Sequence, residues 1–96
     1  MRRRRNPEVI AGRVNADGTI ATGDGFQARN AGAGVYVLTF APGFVLQGIT
    51  FTKFGADTPW YISAISENSV TWISVSSIAA GGVNAAFMFT AVGEQR

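Results

Sequence analysis

Val35-Tyr36-Val37-Leu38-Thr39-Phe40 decides the fold class. The run is β-branched or aromatic except at Leu38, and its period of two places Tyr36, Leu38 and Phe40 on one face and Val35, Val37 and Thr39 on the other. A small-residue loop, Ala31 to Gly34, precedes it. Ala41-Pro42-Gly43 ends it, because proline donates nothing to a sheet ladder. Working outward, residues 8–14 read as a strand. Asn15-Ala16-Asp17-Gly18 then reads as a turn, since Asp-Gly supplies the positive φ a tight hairpin needs. Residues 19–22 form a short return strand, Gly23-Asp24-Gly25 turns the chain, and residues 26–30 follow as a strand. Downstream, residues 45–54 alternate, with Ile49, Phe51 and Lys53 opposing Thr50, Thr52 and Phe54. Residues 55–59 are a loop, 60–66 a strand, Glu67-Asn68-Ser69 a turn and 70–76 a strand. The last strand covers residues 84–92, with Phe87 and Phe89 opposing Met88. The nearest helix candidate, residues 77–87, is broken by Gly81-Gly82. Seven to eight short strands with short turns predict an all-β fold, a small antiparallel β-sandwich. Residues 1–7 form an extended basic N-terminal arm and residues 8–96 one β-domain, with no internal repeat.

The composition narrows the function. Ninety-six residues make one domain at most, and 47% hydrophobic content supports a core. Cysteine and histidine are both absent. Disulfides, thiol chemistry, imidazole general bases and the commonest zinc ligands are therefore excluded. No apolar run approaches the ~20 residues of a membrane helix, and no membrane partner is expected. Arg2–Arg5 lead into Asn6-Pro7-Glu8 rather than an apolar segment, so no signal peptide is expected. A binding module, a structural or assembly protein and a minimal carboxylate enzyme remain.

The net charge of +2 conceals an asymmetry. Arg2, Arg3, Arg4 and Arg5 carry +4, whereas the rest of the chain sets four cations (Arg13, Arg29, Lys53, Arg96) against six acids, a balance of −2. Such an arm suits either phosphate neutralisation or docking on an acidic protein surface, where Arg forks pair with carboxylates. Protein contact is favoured. The body offers no basic face to extend a nucleic-acid footprint, so nucleic acid is not the expected partner.

Strands such as 35–40 and 70–75 are apolar on both faces. A sandwich of this size has one core, so a second apolar face predicts burial against other chains. Val35, Val37, Trp72, Phe87 and Phe89 are the interface candidates of a homo-oligomer.

The motifs for chemistry are weak. Asn15-x-Asp17-Gly18 with Asp24 superficially matches a calcium loop, but Phe26 stands where the bidentate acid belongs. Turn formation explains these residues better, and no metal is expected. The glycine clusters 23–25 and 32–34 open no helix, so they lack the context of a phosphate loop. The serines have no base to activate them. Asp17, Asp24, Asp57 and Glu67 all fall at turns, so paired-carboxylate hydrolysis finds no support. Neither enzyme activity nor a cofactor is expected. Asp57 with Trp60 and Tyr61 is a candidate glycan site, an aromatic face beside a hydroxyl acceptor. Against it stands the commoner use of such aromatics, filling the core.

Arg13-Val14-Asn15-Ala16-Asp17-Gly18-Thr19-Ile20, Gly23-Asp24-Gly25-Phe26 and Gly32-Ala33-Gly34-Val35-Tyr36-Val37-Leu38-Thr39-Phe40 resemble a recurring β-module of tailed-phage virion proteins. Asn84-Ala85-Ala86-Phe87-Met88-Phe89-Thr90-Ala91-Val92-Gly93 resembles its closing strand. The resemblance covers most of residues 8–93. It implies a small β-sandwich, commonly trimeric, in head-decoration proteins or in capsid and tail fibres. The expectation is thus a virion-located structural protein, a trimeric capsid decoration (cement) protein or short capsid fibre head. Arg2–Arg5 would anchor it to the major capsid protein or another virion protein. The alternative is a carbohydrate-binding receptor module of a tail fibre, using Asp57, Trp60 and Tyr61.

Overall fold

The computed structural model describes residues 6–54, 60–74 and 84–95. They form eight strands and no helix: β1 (Asn6–Val14), β2 (Ile20–Thr22), β3 (Phe26–Gly32), β4 (Val35–Phe40), β5 (Phe44–Lys53), β6 (Trp60–Ile65), β7 (Ser69–Ser74) and β8 (Phe87–Gln95). Two four-stranded sheets result, with orders β2-β1-β8-β5 and β3-β4-β7-β6, and every pairing is antiparallel. The chain changes sheet between β2 and β3, β4 and β5, β5 and β6, and β7 and β8. The fold is a small β-sandwich. Among the described residues β5 and β6, consecutive in the chain, are each an edge strand of their own sheet.

The turn chemistry follows from the residues. Gly18 adopts φ 92°, a region closed to most side chains, and its N–H donates to the Asn15 carbonyl at 2.9 Å. One oxygen of Asp17 accepts from the Thr19 N–H at 3.0 Å and from the Thr19 hydroxyl at 2.6 Å. The Thr19 hydroxyl first, then its N–H, holds the Asp17 carboxyl below the usual carboxylate range.

Alternation decides the core. Tyr36 and Leu38 of β4, Val70 and Trp72 of β7, and Phe87 and Ala91 of β8 are wholly buried. Cross-strand partners share a face, and the register sets Tyr36 opposite Trp72 and Leu38 opposite Val70. Trp72 lies 4.2 Å from the Phe87 ring and 5.4 Å from that of Phe51, which it stacks on, while Phe26 meets Phe89 edge-on at 4.8 Å. Each such side chain contributes about 1.5–3 kcal/mol on full burial. A side chain at Gly12 would run into the Phe26 ring, so glycine there lets an aromatic residue of the other sheet descend onto β1.

The expected strand β4 is reproduced residue for residue, whereas β8 lies three residues downstream of its expected start. Residues 84–86 are engaged elsewhere. The Asn84 side-chain oxygen accepts from the Gly34 N–H at 2.7 Å, the Ala85 N–H donates to the Tyr36 hydroxyl at 3.0 Å, and the Ala86 carbonyl accepts from the Phe54 N–H at 3.0 Å. Of the weak helix candidate, Phe87 is strand and residues 84–86 take no regular structure; residues 77–83 lie outside the described residues.

Candidate interaction surface

β6 has the sequence Trp60-Tyr61-Ile62-Ser63-Ala64-Ile65, without a charge, and all six residues are exposed. Among the described residues β7 is its sole strand partner in the sheet. Ile62 pairs with Trp72 and Ile65 with Val70, both wholly buried. Ile62 and Ile65 therefore share the inward side of the sheet. A bulge between Ile62 and Ala64 makes this parity possible, since strict alternation would have put Ile65 outside. Trp60 also lies on the inward side, with its ring 5.4 Å from Phe51 and 6.0 Å from Trp72.

These residues have core orientation without core burial. Trp60 is 37% exposed, Ile62 36% and Ile65 59%. On the neighbouring edge of the other sheet, Leu46 and Ile49 of β5 are half-buried against the core. The register pairs them with Gly93 and the buried Ala91, which puts them on the inward side of their own sheet. The two edge strands thus border an apolar seam along one side of the sandwich. Its β6 side leaves on the order of 300 Å² exposed, the size of the largest apolar patch of an ordinary monomer, which is often functional. Half-buried Lys53 ends β5, paired in register with Phe87. Burial pushes its ammonium pKa below the usual lysine value. A smaller apolar pair, Val9 and Val92, stands opposite across β1 and β8 at 64% and 43% exposure.

The expected site residues divide sharply. Trp72, Phe87 and Phe89 are core, exposed by 0%, 0% and 2%, and are not interface residues. The correction has a simple cause. On β8, Phe87, Phe89 and Ala91 share the face that looks inward, leaving Met88, Thr90 and Val92 outside. Val35 and Val37 do lie on the outward face of β4, half-buried. Trp60 and Tyr61 do not converge. Adjacent strand residues point to opposite faces, and Tyr61, paired with Ile73, lies across the sheet from Trp60. Asp57, the third member of that candidate glycan site, and Arg2–Arg5 lie outside the described residues. Ile62 and Ile65 escaped sequence reasoning because β6 reads as an ordinary half-buried strand. The absence of any charge in it was the available signal.

No protein-family model matches the chain, and no curated protein or solved structure matches it.

Proposed function

We propose that this β-sandwich is a structural component of a virion, a trimeric capsid decoration (cement) protein tethered by its arginine arm. The observation that carries the proposal is the uncharged edge strand β6, whose inward-side Trp60, Ile62 and Ile65 stay exposed beside Leu46 and Ile49. An open, apolar edge invites association, and soluble proteins normally blunt such edges with charge. Three copies around a closed rotation axis would turn their seams inward and bury them as one apolar centre, as obligate interfaces do. The resemblance of residues 13–40 and 84–93 to the phage β-module supports the same assembly.

In this scheme Arg2–Arg5 pair with carboxylates of the shell through charge-assisted hydrogen bonds, each worth about 1.5–3 kcal/mol. Three arms per trimer act together through effective concentration. The tail-fibre glycan alternative loses ground, because Trp60 and Tyr61 face opposite sides of β6. The test is the mass of the full chain in solution, followed by co-sedimentation with particles lacking it. A trimer that binds particles and loses occupancy on deletion of residues 1–5 is expected. A stable monomer indifferent to particles overturns the proposal.

A further inference from the structure

A second surface lies on the edge of the β3-β4-β7-β6 sheet opposite to β6, and it has a different chemistry. A depression of about 420 Å³ opens beside the start of β3 and the end of β4, with Gln27, Thr39, Pro42 and Asn68 in its lining. That volume lies in the range of small-molecule sites, about 300–1,000 Å³. A smaller one of about 130 Å³, lined among others by Gln27, Arg29, Val37 and Thr39, adjoins it through the shared Gln27 and Thr39. Gln27 pairs with Thr39 and Arg29 with Val37, so the two depressions step along β3 by two residues, roughly 7 Å.

The lining specifies a ligand class. The amides of Gln27 and Asn68 each offer donors and an acceptor, and the Thr39 hydroxyl offers both. Such groups match a molecule dense in hydroxyls. Pro42 and Val37 supply apolar surface for C–H faces between them. Arg29, exposed at the far end, presents a planar fork, and neither depression has an acidic residue in its lining. A guanidinium so placed selects a carboxylate, which it can hold bidentately.

We infer that the outer face of β3 and β4 binds a carboxylate-bearing saccharide, with Arg29 on the acid and Gln27, Thr39 and Asn68 on the hydroxyls. The inference is independent of the virion proposal, since the groove is lined by one chain and shares no residue with the β5–β6 seam.

The test is NMR titration of the full chain with oligosaccharides containing glucuronate, galacturonate or N-acetylneuraminate, with lactose as the neutral control. At least one acidic probe should shift the Gln27 and Asn68 side-chain amide resonances. Arg29→Gln should weaken that binding roughly tenfold to a hundredfold, Arg29→Lys less, and Arg13→Gln, on the other sheet, not at all. Gln27→Ala provides a second variant should Arg29→Gln disturb the fold. The inference is overturned if none of the acidic probes shifts these resonances at millimolar concentration, or if neither Arg29→Gln nor Gln27→Ala weakens the binding. Equal binding of a polyglutamate peptide at the same residues also overturns it, reducing the groove to a nonspecific cation.

Discussion

Trp60 meets Phe51 edge-on, ring centroids 5.4 Å apart and planes 63° apart, and so joins the edge strand of one sheet to the edge strand of the other. Phe51 itself is 8% exposed and belongs to the core. The inward side of β6 therefore starts in contact with the core at Trp60 and leaves it by Ile65. Two substitutions on one strand should then have opposite consequences. Trp60→Ala should cost about 1–3 kcal/mol of stability, less than a fully buried aromatic. Ile65→Asp should alter the stability of the isolated chain by no more than about 0.5 kcal/mol while blocking association, because it places a charge where another seam would pack. Urea melts and light scattering over a range of protein concentrations measure both. An Ile65→Asp protein that still associates would show that the contact lies elsewhere.

Trp72 and Phe87, 4.2 Å apart between ring centroids and wholly buried, should behave otherwise. Trp72→Ala or Phe87→Ala should each cost about 3–5 kcal/mol. That is a large share of the roughly 5–14 kcal/mol expected for a domain this size. The expected readout is loss of the cooperative thermal transition, rather than a folded chain with altered mass. A folded, monomeric Trp72→Ala protein would restore this residue to the interface.

The contrast between these residues marks what the chain discloses about itself. The two-residue period of Val35–Phe40 was legible because one face carries Tyr36, Leu38 and Phe40, all larger than the residues opposite, and those three are buried. Where both faces carry apolar residues, as Val70 and Trp72 against Ile73 and Val75 do in residues 70–75, period alone cannot choose the inward one, which is how Trp72 becomes an interface candidate. Nor does β6 announce its bulge. One extra residue at Ser63 moves Ile65 from one side to the other, and the pairing with β7 that fixes this is a nonlocal property. The Gln27–Arg29 groove was unreadable for a similar reason, since it depends on β3 lying beside β4 and the 66–68 turn.

That turn and the Tyr36 hydroxyl do related work in closing the sandwich. The Asn68 carbonyl accepts from the Phe40 N–H at 2.8 Å, and the Glu67 carbonyl from the Leu46 N–H at 2.7 Å, linking the turn to strands of both sheets. Elsewhere the Tyr36 hydroxyl donates to the Ala16 carbonyl at 2.6 Å and accepts from the Ala85 N–H at 3.0 Å. Burial first raises the Tyr36 phenol pKa above its ordinary value, so it stays protonated and able to donate at neutral pH. Tyr36→Phe keeps the ring and deletes both bonds. The expected loss is about 1–3 kcal/mol, read from denaturant midpoints, with faster amide exchange at Ala85. Unchanged exchange at Ala85 would mean its N–H finds another acceptor.

Asp17 makes stability depend on acidity in a defined direction. Its carboxyl is held below the usual carboxylate range in the fold, chiefly by the Thr19 hydroxyl and then by the Thr19 N–H. A group whose folded pKa is depressed stabilises the fold fully above its unfolded value, and that contribution fades as pH falls through the folded one. Asp17→Asn retains an acceptor for Thr19 but removes the charge. The wild-type chain should therefore melt at higher temperature than Asp17→Asn near neutral pH. The gap should hold down to about pH 5 and close progressively below the ordinary carboxylate range. The residue is solvent-exposed, so the gap should be small, and salt should reduce it only in part because hydrogen bonds rather than distant charges cause the shift. Melting curves of both proteins from about pH 7 to about pH 2 decide the matter. A gap that persists unchanged at the acid end would assign the effect to amide geometry instead of charge.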